Sequence, residues 1–223
     1  MSNKPNYKGQ TTPHHQPPKK PLWQSPLLWV LAVVGIALIF TVILSVGDDS
    51  SDDAAPADAL QTGFAEIIGN ALPALDQPDS ALGQTAPAIS AQTFAGDRLQ
   101  IGNDGTARLY GFFAHWCGHC QKEITATVQW LSANDLPSGV EIVAVSTAVE
   151  SSADNYPPSE WFAREQWPTT VVMDNSDSTL ATGFGLTAFP YWVAVDADGN
   201  VAARTTGELT TQAFEDLLAS ITP

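Results

Sequence analysis

The chain has 223 residues, and its formal net charge of −15 comes with only nine basic residues. A surface this acidic excludes binding to nucleic acid or anionic lipid through a basic face. The only two cysteines are Cys117 and Cys120, and a structural staple explains them poorly, because a bridge between them would close almost no loop.

Residues 1–26 are rich in Pro, Lys, Gln and Asn without apolar periodicity and read as a disordered cytoplasmic tail. No chemistry is assigned to His14 and His15 within it. Residues 27–46, LLWVLAVVGIALIFTVILSV, are twenty positions without a charge. At about 1.5 Å per residue they match the roughly 30 Å of a bilayer core, with Trp23 and Trp29 near one end. The reading is a single transmembrane helix. Lys4, Lys8, Lys19 and Lys20 precede it with no acid among them, whereas all 24 acidic residues follow it. Positive charge stays inside, so the N-terminus is expected in the cytoplasm and the C-terminal part on the extracytoplasmic side of the cell membrane. A cleaved signal peptide, with Ala55-Pro56-Ala57 as its cleavage site, is disfavoured. The apolar core exceeds the roughly 7–15 residues of a signal, and Asp48, Asp49, Asp52 and Asp53 separate it from the small residues. On either reading the cysteines reach an oxidising compartment.

Residues 47–82 read as an acidic linker. Within it Leu60, Phe64, Ile67, Ile68 and Leu72 fall at helical spacing, which predicts a short amphipathic helix over 58–72, followed by a plain connection over 73–82. Residues 83–223 are enough for one single-core domain. A buried strand is predicted over 107–113 and an amphipathic helix after the cysteines, with Ile124, Val128 and Leu131 on one face. A central strand over 140–146, a helix begun by Pro157-Pro158 and a short strand over 170–173 follow. A helix-like turn and loop reach Ala188, then 191–195 and 201–205 pair as a hairpin across Asp196-Ala197-Asp198-Gly199-Asn200. A last helix is predicted over 210–220, with Phe214, Leu217 and Leu218 on one face.

Trp116-Cys117-Gly118-His119-Cys120 therefore lies between a buried strand and a helix. Two cysteines one helical turn apart in that position read as a redox dithiol. A zinc site usually needs four Cys or His ligands, and beyond the motif and His115 only His14 and His15 remain, on the other side of the membrane. No metal and no cofactor is expected besides the redox-active Cys117–Cys120 disulfide.

The order of elements resembles the thioredoxin superfamily, an α/β fold with a central mixed sheet flanked by helices, and within it the membrane-anchored TlpA- and ResA-like oxidoreductases. The likeness spans about Gly83 to Thr222 and rests on several ordered motifs: Gly83-Gln84-Thr85-Ala86-Pro87, Phe113-Ala114-His115-Trp116-Cys117, Glu123 three residues after Cys120, and Gly185-Leu186-Thr187-Ala188-Phe189-Pro190 before a strand. The resemblance implies that Pro190 is cis and faces the dithiol. There a substrate segment can pair in extended form, with Trp116, Phe189 and Tyr191 as further substrate contacts. Cys117, beginning the helix, is then the nucleophile, favoured as thiolate by the helix dipole; Cys120 resolves the mixed disulfide.

Gly118 and His119, between the cysteines, are expected to tune the couple. A His119 imidazole that favours the Cys117 thiolate makes the protein more oxidising, by about 30 mV per unit of thiol pKa. Thioredoxins carry a buried Asp six residues before the first cysteine, where this chain has Gly111, so Glu123 is the candidate to act in its stead through water. His115 is expected to be exposed beside the site. The expected partners are thiols and disulfides of exported proteins and a redox partner that recharges the dithiol. Two other classes stand beside this reading. A copper-handling protein of the same fold usually needs a histidine far downstream, and none follows His119. A non-enzymatic scaffold would use the apolar stripe of 58–72.

Overall fold

The computed structural model describes residues 61–222. The expected transmembrane helix, the expected tail and the spacer up to residue 60 lie outside these residues. Among the described residues no helix is long and apolar enough to cross a membrane.

Eight strands form one sheet: β1 (Ala65–Ile68), β2 (Ala88–Gln92), β3 (Arg98–Ile101), β4 (Ala107–Phe113), β5 (Val140–Ser146), β6 (Thr170–Met173), β7 (Tyr191–Val195) and β8 (Val201–Thr206). Among the described residues there are four helices: α1 (Gly118–Ala133), α2 (Pro158–Arg164), α3 (Thr179–Gly183) and α4 (Thr211–Ile221). The sheet runs β1-β2-β6-β5-β4-β7-β8, with β3 paired to β2. β4 lies parallel to β5 and antiparallel to β7, so the sheet is mixed and the fold is thioredoxin-like.

All seven residues of β4 are buried, as expected of a strand covered on both faces, and its side chains alternate between two cores. Tyr110 and Phe112 join Val143, Val145, Tyr191 and Val193 on one face, under Leu180 and Ala181 of α3. Leu109 and Phe113 join Ile142, Ala144, Trp192 and Ala194 on the other, under Ile124 of α1, Phe162 of α2 and Phe214 of α4. β4 ends directly beneath the first turn of α1, which carries the cysteines to the C-terminal edge of the sheet.

The expected helix over 58–72 is corrected by the structure. Residues 65–68 are strand β1, antiparallel to β2 in the register Ala65↔Ala91 to Ile68↔Ala88. Ile67 and Ile68, which would share a helical face, fall on opposite faces of the strand. The five residues between Gly63 and Gly69 are too few for a stable helix, and β2 offers a ladder of backbone partners. Ala65 and Ile67 turn toward the core, whereas Glu66 faces solvent and Ile68 is 44% exposed.

The segment 73–82 is likewise packed against the domain. Leu72 and Leu75 donate backbone hydrogen bonds to Gly183 O (2.8 Å) and Gly185 O (2.9 Å), and Ala81 is fully buried. Arg204 of β8 reaches back to this segment with a buried guanidinium: Nε donates to Asp79 Oδ2 at 3.0 Å, Nη2 to Asp79 Oδ1, and Nη1 to Pro73 O at 2.8 Å. The domain therefore begins well before residue 83.

Candidate active site

α1 opens at Cys117, its N-cap residue, whose Sγ accepts the Cys120 N–H at 3.4 Å. The N-terminal turn of a helix leaves N–H groups without backbone partners. A sulfur at the N-cap is the acceptor the helix needs, and the dipole there favours negative charge. Both cysteines are free thiols. Cys117 is 9% exposed and Cys120 is fully buried one turn deeper. Burial is the largest influence on Cys120 and pushes its thiol well up from the ordinary value. The nucleophile and resolver assigned from sequence thus sit in two different environments. Gly118, the first residue of α1, leaves open space where a side chain would be.

The Phe189–Pro190 bond is cis, as the resemblance implies. Pro190 precedes β7, whose Tyr191 and Trp192 pair with Phe112 and Gly111 of β4. Trp116 is 42% exposed; its Nε1–H donates to Ala148 O at 2.7 Å, and its ring meets Phe189 edge-on at 6.0 Å. These two aromatic rings form one wall beside the dithiol. Tyr191 does not join them, which corrects its assignment as a substrate contact. Strand alternation sends its side chain to the opposite core, fully buried, where the hydroxyl donates to Phe184 O at 2.8 Å and accepts from Arg204 Nη1 at 3.2 Å. Burial raises its phenol to about 12, so it remains protonated as that donor.

Glu123 is buried, 3% exposed. Oε1 accepts the indole N–H of Trp192 at 2.9 Å and Oε2 accepts the Leu209 N–H at 2.8 Å. Gly111 explains why the carboxylate comes from the helix: a Cβ there would lie 2.5 Å from the Trp192 ring and 2.7 Å from Phe113. The strand has no room for an acid, and the indole that fills the space orients the acid that α1 supplies. Burial raises the Glu123 carboxyl above its ordinary 4.5 despite the two hydrogen bonds.

A pH dependence follows from that shift. A carboxyl raised on folding adds stability that is complete below its unfolded value and is lost as pH rises through the folded one. Glu123→Gln is therefore expected to flatten the fall in stability that begins near pH 4.5, as read from urea midpoints across acid and neutral pH. An unchanged slope in the variant would place the titration on another group.

His115 corrects the expectation of an exposed ring. It is 1% exposed, with Nδ1 2.7 Å from Asp154 O and Nε2 accepting the Glu150 N–H at 3.1 Å. With Nδ1–H as donor, the ring fastens the loop after β5 beneath the motif.

His119 is largely exposed and its Nδ1–H donates to Glu208 Oε1 at 2.5 Å; Lys122 Nζ reaches the same oxygen at 3.2 Å. Glu208 follows β8, 89 residues from His119. No local pattern in the sequence points to it.

A family model described as Redoxin matches residues 70–221. Among solved structures, the fold is shared with a thiol:disulfide interchange protein, DsbE, from Chlorobium tepidum, at 22% identity and a TM-score of 0.51 over 63% of this chain and 97% of that one. It is also shared with the thioredoxin domain of a thiol-disulfide oxidoreductase from Bacteroides vulgatus, at 22% identity and a TM-score of 0.50 over 64% of this chain and 99% of that one.

Proposed function

The chain belongs to the Redoxin family, and from that premise we propose that this thiol-disulfide oxidoreductase is held by residues 27–46 in the cell membrane and exchanges disulfides with exported proteins. The observation that carries the chemistry is the pairing of a slightly exposed cysteine at a helix N-cap with a fully buried one a turn deeper, in a chain whose Phe189–Pro190 bond is cis. The uncharged stretch and the lysines that precede it support the membrane placement.

In the reducing direction the Cys117 thiolate attacks one sulfur of a substrate disulfide. The substrate S–S bond breaks, a mixed disulfide forms and the first substrate sulfur leaves as thiolate. Cys120 then loses its proton and attacks Cys117 Sγ, forming the Cys117–Cys120 bond and releasing the second substrate sulfur. Two electrons pass to the substrate. The oxidising direction is the reverse. Because burial disfavours the Cys120 thiolate, the second step needs a proton acceptor, and Glu123, one turn further along α1 and itself buried, is the group positioned to take that proton, directly or through water. The substrate segment lies extended along Pro190, between the Trp116–Phe189 wall and the Gly207–Glu208 loop.

The test uses the full-length chain in detergent. Equilibrated in glutathione buffers, it should interconvert between dithiol and Cys117–Cys120 disulfide and catalyse exchange on a disulfide-bonded protein. A membrane-impermeant thiol reagent should label Cys117 in intact cells. Failure to form the disulfide would sink the activity, and labelling only after lysis would sink the placement.

A further inference from the structure

Three consecutive residues after β8 touch three separate parts of the site. Gly207 N–H donates to Pro190 O at 2.9 Å, Glu208 accepts from His119 and Lys122, and Leu209 N–H donates to Glu123 Oε2. Gly207 holds φ at +93°, a conformation L side chains rarely adopt, and this turn brings Glu208 over the start of α1. We propose that Glu208 is a positioning residue that sets the redox poise of the dithiol by holding the His119 imidazole, and that removing its charge makes the protein more oxidising. The proposal rests on the disulfide-exchange reading of the site.

The physical argument is charge balance around the reduced state. When glutathione reduces the protein, the Cys117–Cys120 bond breaks, one S–S bond forms in glutathione disulfide, and two electrons enter the dithiol, with Cys117 able to carry negative charge. Glu208 is a second negative charge at the same helix end. Its hydrogen bonds to His119 and Lys122 hold its carboxyl below the usual range, so it stays ionised and occupies the His119 N–H and the Lys122 ammonium. Around His119 the charged and titratable groups are Lys122 and Glu123 of α1, Cys117 at its cap and Glu208 of the loop; Ala188 and Phe189, across the groove, carry none. With Glu208 neutral, His119 and Lys122 are free to stabilise the thiolate, and the reduced form gains.

The experiment compares wild type, Glu208→Gln, Glu208→Asp, His119→Gln and the Glu208→Gln/His119→Gln double variant, each as the full-length chain in detergent. Glutathione equilibration gives the redox equilibrium constant, and the alkylation rate of Cys117 against pH gives its ionisation. Glu208→Gln should favour the reduced form by roughly tenfold, about 30 mV for two electrons, with the alkylation midpoint moving to lower pH in step. Glu208→Asp should recover most of the wild-type value. In the His119→Gln background, Glu208→Gln should move the constant by less than half as much. No shift in Glu208→Gln, or a full shift without His119, overturns the proposal. A wild type that forms no disulfide overturns the functional reading and this proposal together, whereas a wild type that equilibrates normally beside an unshifted Glu208→Gln overturns this proposal alone.

Discussion

Serine in place of Cys117 should reduce disulfide exchange by on the order of 10³-fold or more, because the attacking sulfur is gone and nothing else in the site can form the mixed disulfide. Serine in place of Cys120 should instead leave a protein that reacts once and stalls. Its Cys117 remains at the helix cap, 9% exposed, while the sulfur that would release the substrate is missing. Gel separation under non-reducing conditions should therefore show a persistent adduct with a substrate protein for Cys120→Ser and almost none for Cys117→Ser. Equal trapping by the two variants would refute the division of labour, and adducts formed only by Cys117→Ser would reverse it.

Asp79→Ala should cost about 3 kcal/mol of stability, the scale for breaking a buried ion pair by removing one partner. At about 2–4 °C per kcal/mol in a domain of this size, the melting temperature should fall by about 10 °C. The loss is large because the Arg204 side chain is fully buried and remains charged. The Asp79→Ala/Arg204→Met double variant should regain much of the stability, since it leaves no uncompensated buried charge. The hydrogen bond from Arg204 holds the Asp79 carboxyl below its usual range, so the pair stabilises above the unfolded carboxylate value and is lost as pH falls through the lowered one. A loss under 1 kcal/mol in Asp79→Ala, or a double variant no better than the single, would show that the clasp is not holding residues 73–82 in place.

What could be read from sequence was what local patterns encode. The buried run of β4, the cysteines at the start of α1 and the hairpin of β7 and β8 each announce themselves within a few residues, and the cis-proline came through the resemblance. β2 and β3 did not, because Ala88-Ile89-Ser90-Ala91-Gln92 and Arg98-Leu99-Gln100-Ile101 are short and weakly apolar, and their stability comes from pairing with each other in the register Ile89↔Ile101 to Gln92↔Arg98. β1 was misread because Leu60, Phe64, Ile67, Ile68 and Leu72 fall at helical spacing, while the strand's own alternation, Ala65 and Ile67 inward, is only four residues long. The alternation of β7 did contain the answer for Tyr191: if Trp192 shares a core with the dithiol helix, its neighbour must face away. For His115 and Glu208 there was no such signal, since their partners lie 35–39 and 89 residues distant.

β1 has a further consequence beyond the boundary it corrects. β2 is sandwiched between β1 and β3, so a chain trimmed to start at Gly83 would keep every residue of the dithiol site and still lose the strand that caps one side of β2. The exposed row of N–H and C=O groups is a template for another copy of the chain. Such a fragment would also lose Asp79 and leave the buried Arg204 guanidinium without its carboxylate, so the residues before Gly83 both cover the edge of β2 and complete the core behind the site.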